Sequence, residues 1–348
     1  MTIAGPAAEA LASLSPSEIS FLECLPKSEL HAHLNGSISI KALQELAQSH
    51  GPEGDQTIKS KISEFASGVT LSKIDDFFTL FPAIYALTSS PKPLAIATAD
   101  VLSSFLGPVE RPNPQSYLEL RSTPRKQPSF DGSRLEYVQT VLSVVELYPA
   151  TSCAFIVSID RRMSEEDIKE CVDIAIQMKQ QGRRVVGLDL CGDPLVGDME
   201  LFKPYFQRAK QHGLGITLHI AETKDNSEHD TNLLMSFEPD RLGHATFLDE
   251  SSRKMVLEKK TPVELCLTSN LLCKTVPTLN DHHIRFYLDN KAPIVICTDD
   301  KLPFRTTVLG EYALLLAKSP LGLGLSEQEV KEIAEMGMQA RFGVTPSA

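Results

Sequence analysis

The chain has 348 residues, of which 42% are hydrophobic, and carries a formal net charge of −11. This length is enough to bury a large core, and an α/β barrel of this size folds as one domain. The acidic balance argues against nonspecific binding to nucleic acid or anionic membranes. Seven cysteines at irregular spacings, without a C-x-x-C pair, predict reduced thiols in a cytosolic protein.

Eight short apolar segments rich in β-branched residues predict buried strands. They are Ser28–Leu34, Tyr117–Thr123, Cys153–Asp160, Val185–Cys191, Gly215–Glu222, Arg241–Phe247, Pro262–Asn270 and Ala292–Asp300. Between them lie amphipathic stretches of helical period, for example Ser164–Gln181, Met199–His212 and Glu250–Lys259. This alternation predicts an α/β fold, a TIM (β/α)8 barrel. A doubly wound open sheet is the alternative, but it needs a glycine-rich phosphate turn after the first strand, which this sequence lacks.

Roughly eighty residues separate the first two strands, far more than one crossover helix needs. Helices predicted near 40–49, 72–87 and 93–106 would form a helical insert, residues 38–110. In a barrel such an insert packs over the carboxyl-terminal mouth, so we expect it to act as a lid over the substrate. A single barrel domain is expected over residues 21–348, after an N-terminal extension of residues 1–20. That extension does not resemble a signal peptide, and no apolar run is long enough to span a bilayer.

The first predicted strand carries two histidines, His31 and His33, in the run Glu29-Leu30-His31-Ala32-His33-Leu34-Asn35-Gly36. Alternate side chains of a strand point the same way, so both imidazoles would project together. A lone His-x-His is more often two unrelated histidines. Here His219 and Asp299 supply further ligands at the ends of the fifth and eighth strands. Three imidazoles and a carboxylate suit Zn²⁺ with an open position for water.

Two more polar residues lie at the ends of the fifth and sixth strands. Glu222 and His244 would stand near the activated water and supply the proton transfers of a hydrolysis. Taken singly, His244 fits a core histidine and the pair Asp299-Asp300 fits a helix cap, but the convergence of the whole set favours catalysis. The remaining histidines in helical or loop stretches are expected to be solvated: His50, His212, His229, His282 and His283.

Six sequence blocks together resemble the adenosine deaminase family of metal-dependent amidohydrolases, and the resemblance covers the chain from Leu25 to about Phe342. The family fold is a TIM barrel, and the resemblance implies a hydrolase that acts on the C6–N bond of adenine-type substrates. The blocks are Glu29–Gly36, Leu188–Asp193, His219–Glu222, Arg241–His244, Leu267–Asn270 and Cys297–Asp300.

The resemblance implies a role for each matched residue. It implies that one Zn²⁺ per chain is held by His31, His33, His219 and Asp299. Glu222 would donate a proton to purine N1, His244 would orient and deprotonate the bound water, and Asp300 would hydrogen-bond the hydroxide or N7. The backbone N–H of Gly192 would contact N3. The implied substrate-contacting set is His33, Asn35, Tyr85, Thr123, Pro124, Arg125, Lys126, Asp160, Gly192, Glu222 and Asp300.

Within the family the chain is most similar to the adenosine deaminase-like branch, the N6-methyl-AMP deaminases. Asn35 stands where classical adenosine deaminases have aspartate, and Lys301 follows the paired aspartates where they usually have proline. The stretch Tyr117–Lys126 is close to the branch's second-strand motif, and its Arg125 and Lys126 can form charge-assisted bonds to a phosphate. The implied reaction converts N6-methyl-AMP to IMP and methylamine.

Two alternatives remain beside this function. Adenosine or adenine deamination would use the same chemistry on another substrate. A catalytically inactive barrel with a binding role is less favoured, because the metal set is intact. The expected partner is a small purine nucleotide, without nucleic acid or membrane, and the expected protein is a cytosolic monomer.

Overall fold

The computed structural model describes residues 3–49, 60–65, 79, 81–130 and 132–342. Eight parallel strands pair in chain order. A parallel bridge between Ala32 and Asp299 links the first strand to the segment after the last one, so the sheet closes at its carboxyl end. The predicted TIM barrel is thereby confirmed. The strands are β1 Lys27–His33, β2 Ser116–Ser122, β3 Cys153–Asp160, β4 Val185–Cys191, β5 Gly215–Ile220, β6 Arg241–His244, β7 Val263–Leu265 and β8 Ile294–Ile296.

Helices surround the barrel, and many begin at a serine or aspartate whose side chain accepts a hydrogen bond from the first turn. Ser164, which the sequence predicts as such a cap, accepts from the backbone N–H of Asp167. No helix in the described ranges is long and apolar enough to cross a membrane. The helices are α1 Pro6–Ser13, α2 Pro16–Cys24, α3 Ile40–Ser49, α4 Phe81–Leu87, α5 Pro91–Leu106, α6 Arg134–Val145, α7 Glu165–Gln180, α8 Met199–Gln211, α9 Glu228–Met235, α10 Glu250–Lys259, α11 Leu267–Leu272, α12 Ile284–Asp289, α13 Lys301–Phe304, α14 Val308–Leu316 and α15 Glu327–Gln339.

The insert between β1 and β2 contains α3, α4 and α5, with a further helical stretch at 60–65. The helices predicted near 40–49 and 93–106 are present. Of the helix predicted over 72–87, residues 81–87 are helical, and the rest, apart from Thr79, lies outside the described residues. Asp100 of α5 accepts hydrogen bonds from the N–H and hydroxyl of Ser39, at 2.7 and 2.8 Å, and so joins the start of the insert to its last helix.

The last four predicted strands extend too far at their carboxyl ends. The prediction Pro262–Asn270 runs through β7 into α11, because a short apolar run does not distinguish a buried strand from a buried helix. Left-handed residues occur near the ends of the other three strands: Ala221 (φ 47°) directly follows β5, His244 (φ 60°) ends β6, and Asp299 (φ 62°) comes three residues after β8. These turns occur beside the polar residues that the sequence places at the strand ends.

The amino end of the barrel is closed by Phe342. Its ring lies against Gly187 and Gly215 at the starts of β4 and β5, and its backbone N–H donates to Glu119 at 2.7 Å. The Arg241 guanidinium lies 3.6 Å from the centre of the same ring. A Cβ at position 215 would lie 2.5 Å from that ring, so only glycine fits there without a shift.

We expect Gly215→Ala to lower the free energy of unfolding by about 1–3 kcal/mol, because the added methyl group overpacks the end of the barrel. Urea denaturation of the two proteins measures the difference. In a Phe342→Leu background the same substitution should cost less, since the ring that it meets is gone. An equal cost in both backgrounds would contradict this packing.

Candidate active site

Four imidazoles meet at the carboxyl end of the barrel. His31 and His33 lie on β1, His219 on β5 and His244 on β6, and their contacting ring centres are 4.4 to 5.3 Å apart. The Asp299 carboxylate lies 3.7 Å from Nε2 of His31 and 3.6 Å from Nε2 of His33. The structure therefore brings together the four residues that the sequence predicts as metal ligands.

His31 is oriented by a buried carboxylate. Its Nδ1 lies 2.7 Å from Oε2 of Glu264, so Nδ1 carries the hydrogen. Its Nε2 is buried without a hydrogen-bond partner in the described part of the chain. Burial, assisted by the positive charge of Arg121, lowers the pKa of His31 well below its ordinary value. A neutral imidazole with a carboxylate behind it and a free nitrogen in front is the usual form of a metal-ligating histidine.

His219 has the same arrangement. Its Nδ1 lies 2.8 Å from the Leu190 carbonyl and 3.0 Å from the Asp189 carboxylate, both of which accept hydrogen bonds. Burial lowers the pKa of His219, but Asp189 outweighs this effect and the net shift is upward. A carboxylate behind the ring in this way raises the basicity of the ligating nitrogen.

The spacing of the free nitrogens fits a metal ion. Nε2 of His33 lies 3.2 Å from Nε2 of His219. Two nitrogens on a tetrahedral zinc ion, with Zn–N distances of 2.0–2.1 Å, would be about 3.4 Å apart. Burial and the neighbouring His219 lower the pKa of His33 to about 3, so its ring is neutral as a ligand requires. The donor types, and the spacing of the His33 and His219 nitrogens, therefore fit Zn²⁺.

The paired aspartates differ in their surroundings. Burial raises the pKa of Asp299, but the nearby imidazoles, led by His244, outweigh it and lower the pKa. Ser269 donates a hydrogen bond to Asp299 at 2.8 Å. Burial and the adjacent Asp299 raise the pKa of Asp300 well above its usual range. A Cβ at Gly36 would overlap the Asp300 carboxylate, so the glycine after the histidine run makes room for this side chain.

Glu222 and His244 face each other beside the predicted metal ligands. His244 Nε2 lies 3.8 Å from Oε1 of Glu222 and 4.0 Å from Oδ2 of Asp299. His244 is buried, whereas Glu222 is partly exposed and lines the cavity. The pair can therefore exchange protons with a molecule bound over the imidazoles.

A cavity of about 220 Å³ opens above this cluster, and most of the predicted site residues line it. Predicted lining residues are His33, Asn35, Tyr85, Thr123, Arg125, Asp160, Gly192, His219, Glu222, His244, Asp299 and Asp300. Lining residues that the sequence analysis did not single out are Leu34, Phe81, Arg121, Ser122, Arg162 and Cys191. Phe81 and Tyr85 belong to α4, so the insert contributes part of the cavity wall.

Two predicted substrate contacts lie elsewhere. Lys126 is half exposed, and its ammonium lies 3.6 Å from Glu170 of α7 instead of lining the cavity. Pro124 is buried, and its carbonyl accepts a hydrogen bond from Arg134 at 3.2 Å. Arg125 and Lys126 are consecutive basic residues, yet their side chains face different surroundings.

Arg125 lines the cavity, and only part of its guanidinium group is used in hydrogen bonds. Its guanidinium lies 4.5 Å from the ring centre of Tyr85 and 5.4 Å from that of Tyr137. One terminal nitrogen donates to the carbonyl and hydroxyl of Thr88, at 3.0 and 2.8 Å. The Nε atom and the other terminal nitrogen are buried without a hydrogen-bond partner among the described residues. Buried cationic donors of this kind are suited to an anionic ligand.

Sequence reasoning missed the charges that support the cluster. Glu264, Asp189 and Arg121 are fully buried and contact one another or the imidazoles of His31 and His219. A charged residue inside an otherwise apolar strand was the signal available for each. Arg162 was also missed; it lies next to Asp160 and pairs with that carboxylate at 2.6 Å.

The prediction that the remaining histidines are solvated was right in part. His212 and His229 are exposed, and His50 lies outside the described residues. For His282 the prediction was wrong: its side chain is only 1% exposed and lies 3.1 Å from Asn270. His283 is partly buried and contacts the backbone of His244. The apolar residues of α12 carry both rings inward.

The chain is similar over most of its length to known proteins. Residues 26–346 match the family model described as Adenosine deaminase. The chain is 33% identical to an N6-mAMP deaminase of Arabidopsis thaliana, over 92% of this chain and 94% of that protein. It is 35% identical to an N6-Methyl-AMP deaminase of Homo sapiens, over 86% and 84% respectively. A crystal structure of arabidopsis ADAL complexed with IMP matches with a TM-score of 0.81 and 32% identity, over 93% of this chain and 94% of that one.

Protein purified without chelators should contain about one zinc ion per chain, and His219→Ala should lose most of it because one of four ligands is removed. Elemental analysis of the purified proteins measures the zinc content. His212→Ala, which changes an exposed histidine away from the cavity, is the matched control and should keep its zinc. Equal zinc in all three proteins would rule out this cluster as the binding site.

Proposed function

The chain belongs to the adenosine deaminase family, and from this premise we propose that it converts N6-methyl-AMP and water to IMP and methylamine. It is a hydrolytic deaminase of adenine-type substrates. The nucleotide substrate is supported by one observation above all: Arg125, two of whose guanidinium nitrogens have no hydrogen-bond partner among the described residues, lines the cavity over the imidazole cluster. The related arabidopsis protein whose structure contains IMP supports the same class of ligand.

The metal would be held by His31, His33, His219 and Asp299, whose donor types and spacing suit zinc. A zinc ion held there would lower the pKa of a bound water molecule to about 7 and so would make a nucleophile available at neutral pH. Glu264 and Asp189 would keep two of the ligating rings in the required tautomer, because each accepts the hydrogen on Nδ1.

The proton transfers fall to Glu222, His244 and Asp300. The attacking water adds to C6, and His244 accepts its proton. Glu222 donates a proton to N1, which relieves the negative charge that otherwise develops on the purine ring. The C6 hydroxyl then loses its proton to Glu222 as the C6–N6 bond breaks, and the leaving amine takes up the proton that His244 removed from the water. Asp300 would hydrogen-bond the incoming oxygen or N7, and the Gly192 N–H would contact N3.

The ribose and phosphate end would be formed by Asn35, Thr123, Arg125 and Asp160, with Tyr85 of the insert above them. A protein of net charge −11 needs a local cation to hold a phosphate, and Arg125 provides it. Asn35 is positioned by its amide, which donates to Ser122 at 3.4 Å. Lys126 plays no direct part in this proposal, because its ammonium is paired with Glu170.

The insert is proposed as a lid, since Phe81 and Tyr85 of α4 already form part of the cavity wall. Closure over the substrate would exclude bulk water from the reacting atoms. We also propose a monomeric, cytosolic enzyme. All seven cysteines are free thiols, and six of them are buried, which suits a reducing compartment.

A substrate panel tests the function and the phosphate contact together. The wild-type protein should turn over N6-methyl-AMP faster than AMP, adenosine or adenine, followed by the change in ultraviolet absorbance. Arg125→Ala should raise KM for the nucleotide about 10- to 100-fold, as expected when a buried charge-assisted hydrogen bond is lost. Turnover of N6-methyladenosine, which lacks the phosphate, should barely change.

Lys126→Ala provides the matched comparison on the same loop, and we expect it to change KM little. Equal losses for nucleotide and nucleoside in Arg125→Ala would show that the phosphate binds elsewhere. A panel in which adenosine or adenine is the preferred substrate would replace the nucleotide proposal with the alternative deaminase.

Glu222→Gln should keep its zinc and lose about 10²- to 10⁴-fold in kcat, because the amide cannot donate a proton to N1 and then accept one from the C6 hydroxyl. Stopped-flow or steady-state assays with N6-methyl-AMP measure kcat, and elemental analysis checks the metal. Near-normal turnover in this variant would remove Glu222 from the mechanism.

A further inference from the structure

The backbone that carries His244 is strained. His244 has φ 60° and Ala245 has φ 48°, so two consecutive residues with side chains adopt the left-handed conformation. This conformation is unfavourable for residues other than glycine and persists only where the surroundings enforce it. It ends β6 and directs the His244 imidazole toward Glu222 and Asp299.

Two side chains of the α12 region hold this turn by its carbonyl groups. Nε2 of His283 lies 2.8 Å from the carbonyl oxygen of His244. Because a carbonyl oxygen only accepts, Nε2 of His283 carries the hydrogen and donates it. The hydroxyl of Tyr287, whose side chain is 1% exposed, donates to the carbonyl of Ala245 at 3.1 Å. Each left-handed residue therefore has its own donor.

A chain of hydrogen bonds through His282 and Asn270 reaches Thr246, the next residue after this turn. The backbone N–H of Ile284 donates to Nδ1 of His282 at 3.0 Å, so the hydrogen of that ring is on Nε2. Nε2 donates to the Asn270 side-chain oxygen at 3.1 Å, and the Asn270 amide donates to Thr246 at 3.3 Å. The rings of His282 and His283 stack with centres 4.3 Å apart, which fixes both together.

We propose that His283 and Tyr287 are positioning residues that keep the His244 imidazole aimed into the cavity; this rests on the proposed role of His244 in the deaminase reaction. Neither side chain lines the cavity, so each acts through the backbone of residues 244 and 245. Without these two donors the turn can relax toward an ordinary φ, and the imidazole then moves away from Glu222. His283 thus acquires a function that its position in the sequence does not reveal.

The kinetic test uses changes that keep the rings and remove only the donors. His283→Phe and Tyr287→Phe should each lower kcat for N6-methyl-AMP about 10-fold, with KM changed less than about twofold, because a misplaced reacting group affects turnover more than binding. His283→Gln, whose amide can donate from nearly the same place, should recover most of the kcat. Zinc content should stay at the wild-type level in all three.

Tyr312→Phe is the matched control. Tyr312 is also fully buried, but its hydroxyl has no hydrogen-bond partner in the ranges that the structure describes. Its removal should leave kcat unchanged. A loss of kcat in Tyr312→Phe equal to that in Tyr287→Phe, or a failure of His283→Gln to recover turnover, would overturn the positioning role.

A double-mutant comparison separates this proposal from the proposed function. In a His244→Ala background, Tyr287→Phe should cause no further loss of kcat, because the residue through which it acts is absent. Full additional losses in that background would show that Tyr287 acts by another route. If His244→Ala itself kept wild-type turnover, the catalytic assignment of His244 would fail instead.

Side-chain ¹⁵N NMR of histidine-labelled protein gives a readout that needs no turnover. The His283 ring should show a hydrogen on Nε2 and none on Nδ1. Tyr287→Phe should shift the His244 ring signals and leave those of exposed His212 in place. Unchanged His244 signals in both Tyr287→Phe and His283→Phe would overturn the proposal whatever the activity.

Discussion

The buried carboxylate of Glu264 on β7 joins four other strands of the barrel. Its Oε2 accepts from Nδ1 of His31 on β1 and from Arg121 on β2, at 2.7 and 2.8 Å. Its Oε1 accepts from Thr217 on β5 and Arg241 on β6, at 2.9 and 2.7 Å. A buried charge with all its acceptor positions filled tolerates little displacement, since a lost partner leaves an uncompensated charge in the core. The position of the His31 imidazole is therefore set by the interior of the barrel.

These buried charged side chains hold the imidazoles in position without contacts to solvent. Arg121 contacts both Glu264 and Asp189, and these carboxylates lie behind His31 and His219 respectively. The two rings are thus coupled through one guanidinium. At the mouth, His244 and Ala245 form a left-handed turn whose carbonyl groups accept hydrogen bonds from His283 and Tyr287. The buried charges fix the His31 and His219 rings from inside the barrel, and the turn fixes His244 at its mouth. The imidazoles are therefore accessible to a substrate from the cavity.

The parts of the fold that were predictable from the sequence are those with a simple local pattern. Strands β3 and β4 were predicted at their observed bounds, because both faces are buried and the apolar runs are continuous. Helix α10 was also predicted at its observed bounds. Strand β7 was not, because α11 follows it after a single residue and is equally apolar. The spacing of His31 and His33 did predict their shared direction, since alternation along a strand is a local property.

By itself the sequence determined the order of strands and helices, the barrel and the identity of the residues at the strand ends. Only the tertiary structure decided which polar groups meet. Arg125 and Lys126 are adjacent and equally basic, yet one enters the cavity and the other pairs with Glu170. His282 and His283 are indistinguishable from solvated histidines until α12 packs against the turn at His244. Such outcomes depend on contacts between residues distant in the chain, and local periodicity contains no information about them.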